Sequence, residues 1–138
     1  MRKQGGLNLF LVLLLLWLTA GTAFPQLHNR PNDINKLDLY YQIYNEQYFD
    51  NRLPKDVIIY WDTSIEVDEL AVTSLNQSAD QFVVRFSLNL QFSDALSRMV
   101  LLHEMVHIKL WNVARGHGKA FQDEMLSLAN RGAFEQLW

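Results

Sequence analysis

The stretch from Ser93 to Trp111, SDALSRMVLLHEMVHIKLW, decides how the rest of this chain can fold. It predicts one long helix, because Ser93 is a favourable N-cap, Asp94 puts negative charge in the first turn, and neither Gly nor Pro interrupts the run. Apolar side chains fill most positions and leave little polar face, so the helix should be largely buried. Two histidines and a glutamate inside such a helix need partners, because unpartnered buried polar groups are costly.

The spacing of these polar residues favours a metal site with its own general base. Because residues four apart lie one helical turn from each other, His103 and His107 would direct two imidazoles at one ion. Glu104 would project towards a water bound to that ion rather than towards the ion itself. A neutral imidazole is a good ligand for Zn²⁺, which lowers the pKa of bound water to about 7, so a neighbouring carboxylate can accept its proton. The alternative is a pair of hydrogen-bonded core histidines, which leaves Glu104 unexplained.

Catalytic zinc usually takes three protein ligands, so a third ligand is expected outside this helix. Gly116 and Gly118 mark a turn, and a second helix is predicted over Lys119–Asn130. His117, at the start of that helix, can fold back and complete a three-histidine site, unless it is only an exposed loop residue. Glu124 lies seven residues further on and on the same face, so the residues alone leave a His-His-Glu set open.

The remaining segments predict an α+β fold in which helices pack on a small sheet. A first helix with tyrosines at three- and four-residue spacing precedes three strands, and this spacing indicates core rather than a ligand set. The predicted bounds are Asp33–Phe49 for the helix and Val57–Trp61, Leu70–Leu75 and Phe82–Phe86 for the strands. We expect the last of these strands to lie at a sheet edge, where it would bind an extended peptide by strand addition.

The N-terminus has the pattern of a secretory signal peptide. Arg2 and Lys3 precede an apolar run over Leu7–Ala20, and small residues up to Ala23 offer a cleavage site. We therefore expect a signal peptide over residues 1–23, an extended lead-in over 24–32, and one domain over 33–138, secreted or periplasmic. The apolar run is shorter than the about 20 residues of a membrane span. An uncleaved anchor, with the domain outside the cytoplasm, is the alternative.

Composition narrows the possible partners and the forces that hold the fold. The chain has no cysteine, so core packing and, we expect, bound metal stabilise it in place of disulfides. Removal of residues 1–23, whose charged side chains are Arg2 and Lys3, leaves 115 residues and changes the formal net charge from −3 to −5. An acidic domain of this size argues against a broad nucleic-acid surface. We expect a monomer that acts on a protein or peptide and meets a membrane only if the N-terminal segment stays uncleaved.

Six short segments form a set that is found together in one known family. In chain order they are Tyr44–Phe49 (YNEQYF), Asn51–Pro54 (NRLP), the strand that ends at Trp61, Phe86–Asn89 (FSLN), Leu102–His107 (LHEMVH) and His117–Phe121 (HGKAF). Over residues 36–128 the chain resembles the SprT-like domain, whose family includes Spartan-type zinc metalloproteases. The resemblance implies a minimal zincin fold, zinc held by His103, His107 and His117, and Glu104 as catalytic base. It thereby favours His117 over Glu124 as third ligand.

The chain also departs from this family in ways that bear on function. Many members carry a cysteine zinc ribbon, and this chain has no cysteine. Spartan-type proteins act on DNA-bound proteins, which fits poorly with an export signal and an acidic domain. The leading hypothesis is a secreted or periplasmic zinc-dependent endopeptidase. The alternatives are a zinc-stabilised, non-catalytic protein-binding module, against which the intact Glu104 argues, and a hydrolase of another amide.

Overall fold

The structure, a computed structural model, describes residues 32–135 and 137. The expected signal peptide over 1–23, and the expected lead-in up to residue 31, lie outside the described residues. Within the described part, no helix is long and apolar enough to cross a bilayer.

The described residues form an α+β domain, which confirms the predicted fold class. Helix α1 is followed by strands β1, β2 and β3, a short 3₁₀ helix, and helices α2 and α3. Their bounds are Asn32–Phe49 (α1), Val57–Asp62 (β1), Ala71–Asn76 (β2), Gln81–Ser87 (β3), Leu88–Phe92 (3₁₀), Asp94–Lys109 (α2) and Lys119–Asn130 (α3). The predicted elements agree to within one or two residues at each end, and only the 3₁₀ helix was not anticipated.

The strand order in the sheet is β1-β3-β2, so the prediction that the segment Phe82–Phe86 lies at an edge was wrong. β1 pairs with β3 in parallel, and β2 pairs with β3 antiparallel. A sequential order would have left β3 outside, but the chain crosses over after β1 and places β2 on the far side of β3. The apolar character of β3 explains this, since Val84 and Phe86 have no exposed surface. β1 and β2 are therefore the edge strands of the described sheet.

The core lies between one face of the sheet and helices α1 and α2. Leu37, Tyr41 and Tyr44 of α1 are buried in it, which confirms that the tyrosine stripe is core. Helix α2 is the most deeply buried element, and Leu101, Leu102, Met105 and Val106 are fully inaccessible. Because the helix that carries His103 and His107 is held along its whole length, its side chains have fixed positions relative to the sheet.

Helix α1 connects to β1 through a turn that a buried amide stabilises. Asn45 is inaccessible, and its side chain both donates to the carbonyl of Leu53 and accepts from the N–H of Leu53, each at 3.1 Å. Between them, Asp50 and Asn51 adopt positive φ values of 55° and 57°, a region that Asn and Asp tolerate better than most residues. This turn overlaps the Asn51–Pro54 segment that carried part of the family resemblance.

Candidate metal centre

The three histidines singled out in the sequence meet at one point. Their Nε2 atoms lie 3.1 Å apart for His103 and His107, 3.2 Å for His107 and His117, and 3.0 Å for His103 and His117. A tetrahedral Zn²⁺ with Zn–N bonds of 2.0–2.1 Å requires ligand nitrogens about 3.3 Å apart. The observed triangle is close to that size, so the three histidines could hold a metal ion.

Hydrogen bonding among the histidines does not explain this triangle. A neutral imidazole carries one proton, so its Nε2 is either a donor to one neighbour or an acceptor. Among three Nε2 atoms that all lie near 3 Å from one another, at least one pair is therefore two acceptors or two donors, which repel each other. A shared cation removes that repulsion, and imidazole is a ligand that suits zinc.

Burial keeps the imidazoles of His103 and His107 in the neutral form that a metal requires. Burial, followed by the charges of His107 and His117, lowers the pKa of His103 to about 3. Burial, followed by the charge of His117, lowers the pKa of His107 to about 4. Both rings are therefore neutral at pH 7, and each has a nitrogen lone pair available to a metal ion.

A glycine turn and helix α3 bring His117 to the other two histidines. Gly116 has a φ of +73°, a conformation that glycine adopts without strain, and the chain reverses there after α2. The side-chain amide of Gln122 then donates to the carbonyl of His117 at 2.9 Å. The buried ring of Phe121 lies with its centroid 4.7 Å from each imidazole centroid. Phe121 thus supports all three rings at once.

The sequence analysis did not identify this support, because it placed Phe121 only in the family motif. Its place in the His117–Phe121 segment, close to the third histidine, is the signal that could have revealed it. The rival ligand Glu124 lies outside the histidine group. Its Oε1 accepts a hydrogen bond from the Lys109 ammonium at 2.6 Å.

Glu104 lies one residue from the first histidine and is almost completely buried, with 5% of its surface exposed. Its Oε2 accepts a hydrogen bond from the hydroxyl of Thr73, in β2, at 2.6 Å. Burial raises the pKa of Glu104 to about 7, with a smaller contribution in the same direction from Glu69, while the hydrogen bonds from Thr73 oppose the rise. No local sequence pattern indicated Thr73, because the contact joins residues 31 positions apart.

The two cations near the third histidine are already engaged. The Lys119 ammonium pairs with Asp123 one turn along α3. The guanidinium of Arg115 lies 5.5 Å from the centroid of the Trp111 ring. Both residues are exposed, so their side chains are surface charges with partners of their own.

One helix carries His-Glu-x-x-His, a third histidine precedes the next helix, and a small mixed sheet packs against them. This arrangement is that of a minimal zincin-like domain whose three histidines could hold a metal ion. The SprT-like family model matches residues 37–136, and the chain belongs to this family. The resemblance inferred from the six segments is thereby confirmed. The family is associated with zinc and with metallopeptidase-like proteins of the zincin type. No solved structure matches the chain at a significant level.

Proposed function

We propose that the domain is a zinc-dependent endopeptidase in which His103, His107 and His117 bind the metal and Glu104 is the general base. The observation that carries the proposal is the triangle of Nε2 atoms, 3.0–3.2 Å apart, with a buried carboxylate on the adjacent residue of the same helix. A zinc ion, when bound, acidifies water and polarises a carbonyl group. Glu104 accepts the proton of the attacking water and passes it to the leaving amine.

The open edge of β2 is the surface we assign to an extended peptide substrate. The N–H of Ser87 donates to the carbonyl of Leu70 at 2.9 Å, and this pair continues the β2–β3 register. Hydrogen-bonded and non-hydrogen-bonded pairs alternate in an antiparallel ladder. The backbone groups of Ala71 and Leu75, and the carbonyl of Thr73, therefore point away from β3, where a substrate strand can pair with them. This edge replaces the β3 edge that the sequence suggested.

We further propose that the domain works outside the cytoplasm, either secreted or in a periplasm, after cleavage of residues 1–23. The support is the sequence pattern of that segment. Retention of the segment as an anchor would keep the domain on the same side of a membrane. Its substrate is a protein or peptide, its working form is a monomer, and its acidic charge disfavours nucleic acid as a partner.

The decisive experiment compares the wild-type protein with Glu104→Gln, which keeps the side-chain shape and removes the proton acceptor. Zinc-loaded wild type should degrade an unfolded protein such as casein. Glu104→Gln should bind one zinc per chain and keep its melting temperature, yet lose about 100-fold or more of the activity. Glu124→Gln, the same chemical change on the neighbouring helix, is the matched control and should retain activity.

Each other outcome would change the proposal in a defined way. A wild-type protein that binds zinc but cleaves no protein or peptide would favour a non-catalytic binding module. Full activity in Glu104→Gln would refute the role of Glu104 while leaving the metal site intact. Purified protein that holds no metal after growth with zinc would refute the enzyme altogether.

A further inference from the structure

The edge strand β2 places a polar residue, Thr73, in a row of side chains across the sheet whose other members are apolar core residues. In the sheet register, Ile59, Val84 and Thr73 lie side by side on the face that packs against the helices. Ile59 and Val84 are 4% and 0% exposed. A β-branched apolar residue such as valine would fit the third place equally well in shape. Thr73 instead directs a hydroxyl at the buried carboxylate of Glu104, and the two oxygens are 2.6 Å apart.

The backbone of Thr73 faces the open edge of β2, where we place the substrate. Thr73 and Val84 form a pair without mutual hydrogen bonds, so the N–H and carbonyl of Thr73 point to the open edge of β2. One residue therefore contacts the proposed base through its side chain and borders the proposed substrate path through its backbone.

We propose that Thr73 is a positioning residue that orients Glu104 for proton transfer. This inference rests on the proposed function. The terminal torsion of a glutamate side chain is broad, so a carboxylate without a fixed partner samples many orientations. The Thr73 hydroxyl holds Oε2, which leaves Oε1 as the oxygen that accepts the proton. Displacement of a reacting group by about 1 Å can cost on the order of 100-fold in rate, so loss of this anchor reduces turnover more than binding.

The test uses three variants of the full zinc-loaded chain. Thr73→Val removes the hydroxyl and keeps the shape, Thr73→Ser keeps the hydroxyl, and Ser74→Val removes a hydroxyl from the solvent-facing side of the same strand. We expect Thr73→Val to lower kcat about 10- to 100-fold, with KM and zinc affinity nearly unchanged. Thr73→Ser should recover most of the lost turnover, and Ser74→Val should behave like wild type.

A wild-type kcat in Thr73→Val, or an equal loss in Thr73→Ser, would overturn the inference. Loss of zinc affinity in Thr73→Val would also overturn it, because the residue would then act on the metal site rather than on the base. All these outcomes presuppose an active wild type, whose inactivity would refute the proposed function by itself.

A stability measurement tests the same contact without any turnover. The melting temperatures of Thr73→Val, Glu104→Ala and the double variant form a cycle. If the two side chains are coupled, Thr73→Val should shift the melting temperature much less when Glu104 is already alanine. Equal shifts in both backgrounds would mean that the hydroxyl does not hold the carboxylate, and would overturn the inference even for an inactive protein.

Discussion

Zinc should stabilise this domain strongly, and His117→Ala should abolish most of that stabilisation without unfolding the metal-free protein. His117 is exposed, whereas His103 and His107 belong to the packed helix α2. Exposed substitutions away from special features usually change stability by less than about 0.5 kcal/mol. The metal-free variant should therefore melt within a few degrees of the metal-free wild type.

The size of the zinc effect follows from linkage. A ligand at 100 times its Kd stabilises the folded state by about 2.7 kcal/mol. For a domain of about 100 residues, 1 kcal/mol corresponds to about 4 °C or more, so zinc should raise the melting temperature by about 10 °C. If loss of one of three ligands weakens binding by at least 100-fold, the same zinc concentration stabilises His117→Ala by about 0.4 kcal/mol, or about 2 °C.

Differential scanning calorimetry at matched free zinc concentrations measures both quantities. Glu124→Ala is the control, because Glu124 binds Lys109 and lies outside the histidine triangle. It should keep the full zinc-dependent increment even if the lost ion pair lowers both melting temperatures slightly. If zinc raised the melting temperature of His117→Ala as much as that of the wild type, but did not raise that of Glu124→Ala, the three-histidine assignment would be refuted. No increment in the wild type would refute zinc binding to the folded state.

Three further predictions concern the support of the site and of the fold. Phe121→Leu keeps an apolar side chain but removes the ring that contacts the three imidazoles. It should weaken zinc binding about 10- to 100-fold in a chelator competition assay. An unchanged zinc affinity would show that the ring does not hold the ligands. The metal-free protein should lose stability as the pH falls from about 6.5 towards 4. In this range His103 and His107 bind protons in the unfolded state but not in the folded state, where their pKa values are about 3 and 4. Glu104 opposes this loss, because its folded form takes up a proton below a pKa of about 7. Solvent screening at the half-buried His107 reduces the loss further. The free energy of unfolding from denaturant titrations should therefore fall by less than about 1.4 kcal/mol per pH unit. Asn45→Ala should lower the free energy of unfolding by about 2 kcal/mol or more, since it leaves a buried N–H and a buried carbonyl without partners, and a urea titration with an unchanged midpoint would contradict this.

The helices and the metal-binding pair of histidines could be predicted from the sequence because their rules are local. A helix closes its hydrogen bonds over four residues, so the interval between His103 and His107 already places both imidazoles on one face. The N-cap at Ser93 and the turn at Gly116 follow from single residues and their neighbours. For these reasons the predicted bounds of α2 and α3 agree with the structure to within two residues.

The tertiary structure alone decided what depends on contacts between distant residues. The order of the strands follows from which pairing buries the most apolar surface, and the sequence of β3 does not say that β1 and β2 flank it. The partner of Glu104 comes from β2, 31 positions away, and the partner of Glu124 is Lys109, 15 positions away. Local periodicity contains no information on such pairs, because their members are distant in sequence and only the folded chain brings them together.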